Sequence, residues 1–184
     1  KDNILLATRL GKAIRFDVHD VRVFVGRGSS GVRGIRLKPN DFVVSMSLIP
    51  NLENRFILSV TENGFGKRTP IDDYRMTNRG GQGVANIECS ARNGPVVASY
   101  VASEDDQIML VTNSGKLIRI RVHGGEGDSI RVAGRKTQGV RLFDVEEGEK
   151  VVSVALLSEN EDEQDEENSE DVVENKNDGK WLVN

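Results

Sequence analysis

A phrase of about 50 residues occurs three times in this sequence, and such a repeat restricts the chain to a row of similar structural units. Each copy begins with two short apolar runs that flank a turn glycine, and these glycines are Gly11, Gly64 and Gly115. They lie 53 and then 51 residues apart. Short apolar runs broken by a glycine turn are typical of β-hairpins, so the phrase predicts one hairpin in each unit.

A glycine-rich basic segment, here called a corner, follows each hairpin. The corners are residues 26–37, 79–84 and 134–142. Their glycines Gly31, Gly83 and Gly139 lie 52 and then 56 residues apart, so a second landmark agrees with the period. Glycine permits backbone conformations that sharp turns need, and we expect each corner to turn sharply and run into a strand.

Each unit closes with a β-rich run, and these runs are residues 41–48, 95–101 and 150–157. No apolar periodicity of 3.6 residues through Leu157 is long enough for a packed helix. The sequence therefore predicts an all-β, propeller-like fold with about three four-stranded blades, at about residues 1–50, 51–100 and 101–157. A β-sandwich is the alternative, but it does not require the same phrase three times.

Charge is segregated along the chain. Through Leu157 there are 23 Lys and Arg against 18 Asp and Glu, whereas residues 158–184 contain 2 against 11. A body of net charge +5 followed by a tail of −9 suggests a polyanionic partner with which the tail can compete. The polar tail is expected to be disordered. Trp181, in its last residues, belongs either to a strand that docks on a blade or to mobile sequence.

The sequence offers little for catalysis or metal binding. Cys89 is the only cysteine, and His19 and His123 lack the spacing of metal ligands. There is no phosphate-binding loop of the Walker type, and the acidic pairs at Asp72 and Glu104 are typical of turns. No apolar run reaches the ~18 residues of a membrane span, and we expect no signal peptide. For lack of an assembled nucleophile or metal set, we expect this chain alone not to be a catalyst. Because it begins with Lys1, we also expect it to be a piece of a longer protein.

Cations recur at similar places in the three units. In an array of blades, such positions fall on the same edge of successive blades and form a curved basic band. A band of this kind suits the phosphate backbone of duplex DNA, whereas an aromatic content of 5% argues against stacking on single strands. The alternative is that these cations only solvate strand edges. The candidate DNA-binding residues are Arg27, Arg33, Lys67, Arg68, Arg79, Lys116, Arg135 and Lys136.

Three of these phrases, residues 31–37, 61–69 and 134–142, resemble the C-terminal domain of DNA gyrase A, from the bacterial type II topoisomerases. The sequence of residues 106–109 is similar as well, and the resemblance covers residues 4 to about 157. It implies a β-pinwheel, a propeller variant in which neighbouring blades exchange strands. The family's basic box, Gln-Arg-Arg-Gly-Gly-Lys/Arg-Gly, is represented by a degenerate version at residues 78–83, with two cations missing.

The resemblance also implies a function, which is to wrap duplex DNA around a basic rim and so support negative supercoiling. The implied partners are duplex DNA, the rest of DNA gyrase A and DNA gyrase B in a heterotetramer, in the bacterial cytoplasm at the nucleoid. No cofactor is implied for this part of the protein, because ATP and Mg²⁺ act elsewhere in the holoenzyme. The alternatives are the corresponding C-terminal domain of topoisomerase IV and a propeller whose rim binds an acidic protein.

Overall fold

The computed structural model describes residues 2–50, 55–124 and 129–158. The regular secondary structure of the described chain consists of strands and of two short 3-10 helices at Val18–Asp20 and Ile71–Asp73. The strands are β1 (Asn3–Thr8), β2 (Lys12–Asp17), β3 (Val43–Ile49), β4 (Phe56–Thr61), β5 (Phe65–Pro70), β6 (Val84–Ala85), β7 (Val96–Ala102), β8 (Gln107–Thr112), β9 (Leu117–Arg121), β10 (Val140–Arg141) and β11 (Val151–Leu157).

The three predicted hairpins are β1–β2, β4–β5 and β8–β9, and their turns are alike. In each turn the glycine N–H donates to the carbonyl of a threonine three residues earlier, at 3.0–3.1 Å. The φ angles of Gly11, Gly64 and Gly115 are 80°, 75° and 84°. Only glycine adopts this left-handed conformation without strain, which explains why the residue recurs at this position.

Strands are exchanged between neighbouring units. The first sheet has the order β3-β1-β2-β6 and the second β10-β5-β4-β7, so the second corner completes the first sheet and the third corner completes the second. The third sheet has the order β11-β8-β9. The all-β, propeller-like fold predicted from the repeat is therefore confirmed. The first two sheets are four-stranded composites of two successive repeats, as the resemblance to a pinwheel implied, whereas the third has three strands from one repeat.

One expectation about the corners is wrong. The first corner was expected to run into a strand, but residues 21–42 contain no strand. The strands of the other two corners, β6 and β10, have only two residues each and form on the outer strand of the preceding sheet. The first corner has no preceding sheet among the described residues, and therefore lacks the edge on which such a strand forms.

The closing strand β7 contacts both β3 and β11, while the exchanged strands lie at the opposite edge of their sheets. Apolar side chains fill the spaces between successive sheets. Leu5 and Ile57 lie in the cluster between the first two sheets, and Leu58 and Leu110 lie in the cluster between the second and third. Full burial of such a side chain contributes about 1.5–3 kcal/mol. A third buried cluster contains Ile4, Ile14, Phe16 and Ile35 of the first repeat, so the core has three parts. The predicted tail and Trp181 lie outside the described residues, apart from Ser158.

A pair of equivalent glycines allows the exchange to be tested. A Cβ added at Gly64 would lie 2.8 Å from the carbonyl oxygen of Phe143, just beyond β10, whereas a Cβ at Gly115 meets nothing within 4 Å. Both positions have the same unfavourable φ for alanine, so Gly115→Ala is a control for backbone strain. We expect Gly64→Ala to lower the free energy of unfolding by about 1–3 kcal/mol more than Gly115→Ala, measured by urea denaturation. Equal losses would mean that the exchanged segment does not cover Gly64.

Candidate nucleic-acid interface

The eight candidate DNA-binding residues fall into three groups by exposure. Arg27, Arg33, Lys116 and Lys136 are exposed, Arg79 and Arg135 are half-buried, and Lys67 and Arg68 are buried. Because β10 and β6 mark the outer edges of the sheets, the second and third corners lie at those edges. The structure thus brings corner cations to the predicted edge but does not expose all of them.

Lys67 is not on an exposed rim, and the expectation that it lies there is wrong. Its side chain is fully buried, and Nζ donates to the carbonyl oxygen of Gly134 at 2.5 Å. Burial lowers the pKa of Lys67 to about 8, and the nearby Arg135 guanidinium contributes to this lowering. The Lys67 amine therefore links β5 to the third corner from inside.

Arg68 is also placed in the interior, contrary to the rim prediction. It is 5% exposed, and its Nε donates to the carbonyl oxygen of Ile130 at 2.7 Å. Its Nη1 lies 3.1 Å from the carboxylate of Glu104, and the guanidinium stacks 4.9 Å from the ring centroid of Phe56. Arg68 therefore holds the next repeat against its own sheet and is not available to a DNA backbone in this conformation.

Arg15 makes the same kind of link one repeat earlier. Its Nη1 lies 3.2 and 3.3 Å from the carbonyl oxygens of Ile71 and Tyr74. Arg15 and Arg68 both lie four residues after the turn glycine of their hairpin. The repeated arginine of the second hairpin strand is therefore a junction residue, since in both cases it donates to backbone carbonyls of the following repeat.

Lys116 is exposed but ion-paired. Its Nζ lies 2.7 Å from Glu146 and 3.0 Å from the buried carboxylate of Glu149. Glu149 also accepts hydrogen bonds from the Glu146 amide and from the hydroxyls of Ser114 and Thr112, which lower its pKa to about 2. This carboxylate organises the third hairpin turn, and Lys116 is part of that arrangement.

Arg75 and Arg131 are exposed cations that the sequence reasoning did not single out. Each lies eight residues before its corner glycine, beside a residue that bridges to β2 or β5. Neither forms an ion pair with any described residue. Their identical distance to the corner glycine was the signal in the sequence that could have found them.

The remaining acidic groups do not form a metal site within the described ranges, where no cluster of three possible ligands occurs. The Asp106 carboxylate instead accepts a hydrogen bond from the backbone amide of Ser103 at 2.7 Å.

No helix in the described parts of the chain is long and apolar enough to cross a membrane. The observed arrangement supplies cations at the outer edge of successive sheets.

Comparison with known proteins bears on this arrangement. The family described as "DNA gyrase C-terminal domain, beta-propeller" matches residues 2–50, 55–94 and 106–158. The chain belongs to this family. Its curated relatives include DNA gyrase A of Rickettsia bellii, 38% identical over 94% of this chain, and of Chlamydia pneumoniae, 42% identical over 89%. These matches span only 24% and 19% of the relatives' own lengths.

Solved structures of the C-terminal domains of two enzymes resemble this gyrase-family domain equally well. A DNA gyrase A C-terminal domain gives a TM-score of 0.75 at 29% identity, covering 85% of this chain and 51% of that structure. The C-terminal domain of a DNA topoisomerase IV gives 0.75 at 30% identity, covering 84% and 46%. The overall structure therefore does not separate the two enzymes, whereas the family match and the curated relatives name gyrase.

The buried amine predicts a dependence of stability on pH. Between about pH 8 and 10.5 the unfolded chain holds a proton on Lys67 that the folded domain has released, so stability should rise with pH across this window. We expect the Lys67→Met variant to lack this rise when free energies of unfolding are compared between about pH 7.5 and 9.5. Lys116→Met is the control, because Glu146 and Glu149 raise the pKa of Lys116. Parallel curves for the wild type and Lys67→Met would contradict the assignment.

Proposed function

We propose that this gyrase-family domain binds and bends duplex DNA, without sequence preference, along the outer edge of its sheets. In the whole protein it would act as the C-terminal part of DNA gyrase A, in the bacterial cytoplasm, and support negative supercoiling. DNA gyrase B would be its partner in the holoenzyme, and ATP and Mg²⁺ would be used there and not by this domain.

The observation that carries the proposal is the set of exposed cations that no described carboxylate neutralises, at or near the corners. Arg131 precedes the third corner and Lys136 lies in it, Arg75 precedes the second, and Arg27 and Arg33 lie in the first. None of these five forms an ion pair with a described residue. Exposed, unpaired cations at successive corners suit a phosphate backbone, whose binding depends on charge and not on base identity.

The likeness to the topoisomerase IV domain supports a second candidate, a role in that enzyme. Both roles require duplex binding, so binding alone does not separate them. Supercoiling by the reconstituted holoenzyme does, because the gyrase role requires the introduction of negative supercoils. A rim that binds an acidic protein would instead show no salt-dependent affinity for DNA.

The binding test is a fluorescence-anisotropy titration of a duplex at several salt concentrations. We expect Lys136→Ala and Arg131→Ala each to lower the slope of log K against log [salt] by about 0.9, the value for one phosphate contact. Lys150→Ala is the matched control, because Lys150 is exposed but paired with Glu62 at 3.2 Å. A flat salt response of the wild type, or slopes equal to that of the control, would contradict the proposal.

A second measurement concerns residues 158–184, whose net charge is −9. If this segment competes with DNA for the basic edge, its removal should tighten duplex binding, most strongly at low salt where charge is least screened. The comparison is between the full chain and residues 1–157 in the same titration. Equal affinities at all salt concentrations would exclude the competition.

A further inference from the structure

The first corner lies in a long, exposed loop that has few contacts with the rest of the protein. Residues 21–34 carry no strand, and all but Val32 and Gly34 are exposed. Val23 and Val25 are 93% and 104% exposed, so the loop has almost no apolar anchor before Ile35. Arg33 must nevertheless keep a defined direction if it is to meet a phosphate.

A single guanidinium joins the two ends of this loop. Arg79, in the second corner, donates from Nε to the carbonyl oxygen of Asp20 at 2.9 Å and from Nη1 to that of Arg33 at 3.2 Å. Two of its N–H groups thus bind backbone carbonyls that lie 13 residues apart in the sequence. A planar guanidinium presents donors in a fixed fork, which a lysine ammonium does not.

The backbone of the second corner extends the same contact. Gly80 N–H donates to the carbonyl of Gly34 at 2.5 Å, and Arg36 N–H donates to the carbonyl of Gly81 at 2.7 Å. Gly80 has a φ of 79°, a conformation that favours glycine. Residues 79–81 therefore hold residues 33–36 by three hydrogen bonds, two of them between backbone groups; we call this contact the clamp.

The third corner repeats the contact on the second. Arg135 Nη1 donates at 3.0 Å to the carbonyl oxygen of Ala85, which, like Arg33, lies two residues after its corner glycine. The repetition indicates that the corner arginine is built to hold the preceding corner. Ala85, however, carries no charge, so Arg135 supplies a natural control.

We propose that Arg79 is a positioning residue, which fixes the backbone of Arg33 so that the Arg33 guanidinium faces the DNA, and that Arg79 does not itself bind phosphate. The inference rests on the proposed function, and it reassigns a residue expected from the sequence to contact DNA. Arg33 makes no side-chain hydrogen bond or ion pair with a described residue, so its guanidinium is available.

The test is a double-mutant cycle in the full chain, with duplex affinity measured against salt. Loss of one contact with a slope of about 0.9 weakens binding about eightfold at about 0.1 M salt, and this is expected for Arg33→Ala. Arg79→Ala should weaken binding to a similar extent, while the double variant should lose no more than about tenfold, because both changes remove one contact. Losses that multiply to about sixtyfold would overturn the proposal.

Arg79→Lys keeps the charge and removes the fork, and it is also the safer variant for folding. A positioning role predicts that Arg79→Lys binds DNA as weakly as Arg79→Ala. Wild-type affinity for Arg79→Lys would mean that the charge itself acts on DNA, and would overturn the proposal.

Hydrogen exchange separates failure of this inference from failure of DNA binding, because it needs no DNA. The Arg36 amide should exchange faster in Arg79→Lys and Arg79→Ala, since its acceptor Gly81 belongs to the clamp. Arg135→Ala should leave the Arg36 amide at the wild-type rate. Unchanged exchange in both Arg79 variants would overturn the clamp, whatever the DNA affinity.

Discussion

The structure depends on the completion of the first and second sheets by a segment of the next repeat. The outer hairpin strand would otherwise present unpaired backbone groups, which is unfavourable and promotes association with other chains. Here Leu142 N–H donates to the carbonyl of Gly64, and Asn86 N–H donates to that of Gly11, both at 2.8 Å. Because the next repeat supplies the donor, the first two repeats are not separate domains, and the stability of each of their sheets depends on the repeat that follows.

This dependence determines what the arginines do. Arg15 and Arg68 follow the turn glycine by four residues, and both donate to carbonyls of the following repeat. Arg79 and Arg135 donate in the other direction, to the preceding corner. A guanidinium has five N–H groups and remains charged at any ordinary pH, which suits it to satisfy several carbonyls at a crowded junction. Part of the positive charge that suggests a DNA-binding surface is therefore used inside the protein.

The sequence could predict the fold because the same hairpin, corner and closing run occur in all three repeats. The turn glycines located the hairpins, and the closing β-rich runs correspond to β3, β7 and β11 within two residues at each end. It could not predict the length of the corner strands, since two-residue strands have no periodicity of their own. The missing strand of the first corner has a similar cause, because it depends on a neighbour and not on local sequence.

The exposure of individual cations was harder to predict, although part of the signal was present. Lys67 lies three residues after its turn glycine, and the same position is occupied by Ile14 and Ile118 in the other hairpins. Apolar residues at two of three equivalent positions indicate an interior position for the third. Comparing repeats position by position would thus have shown Lys67 to be interior, whereas counting charges along the chain could not.

The third sheet shows how far the equivalence of the repeats extends. Ala13 and Gly66 lie opposite the exchanged residues Val84 and Val140, and both are buried. The equivalent residue of the third hairpin is Leu117, which is 68% exposed. A Cβ at Gly66 would already lie 2.6 Å from Leu142, so a leucine there would occupy the space that the exchanged segment fills. The outer edge of β9 therefore differs from the edges of β2 and β5 that pair with β6 and β10. Any segment that pairs with β9 must pack differently from those two strands.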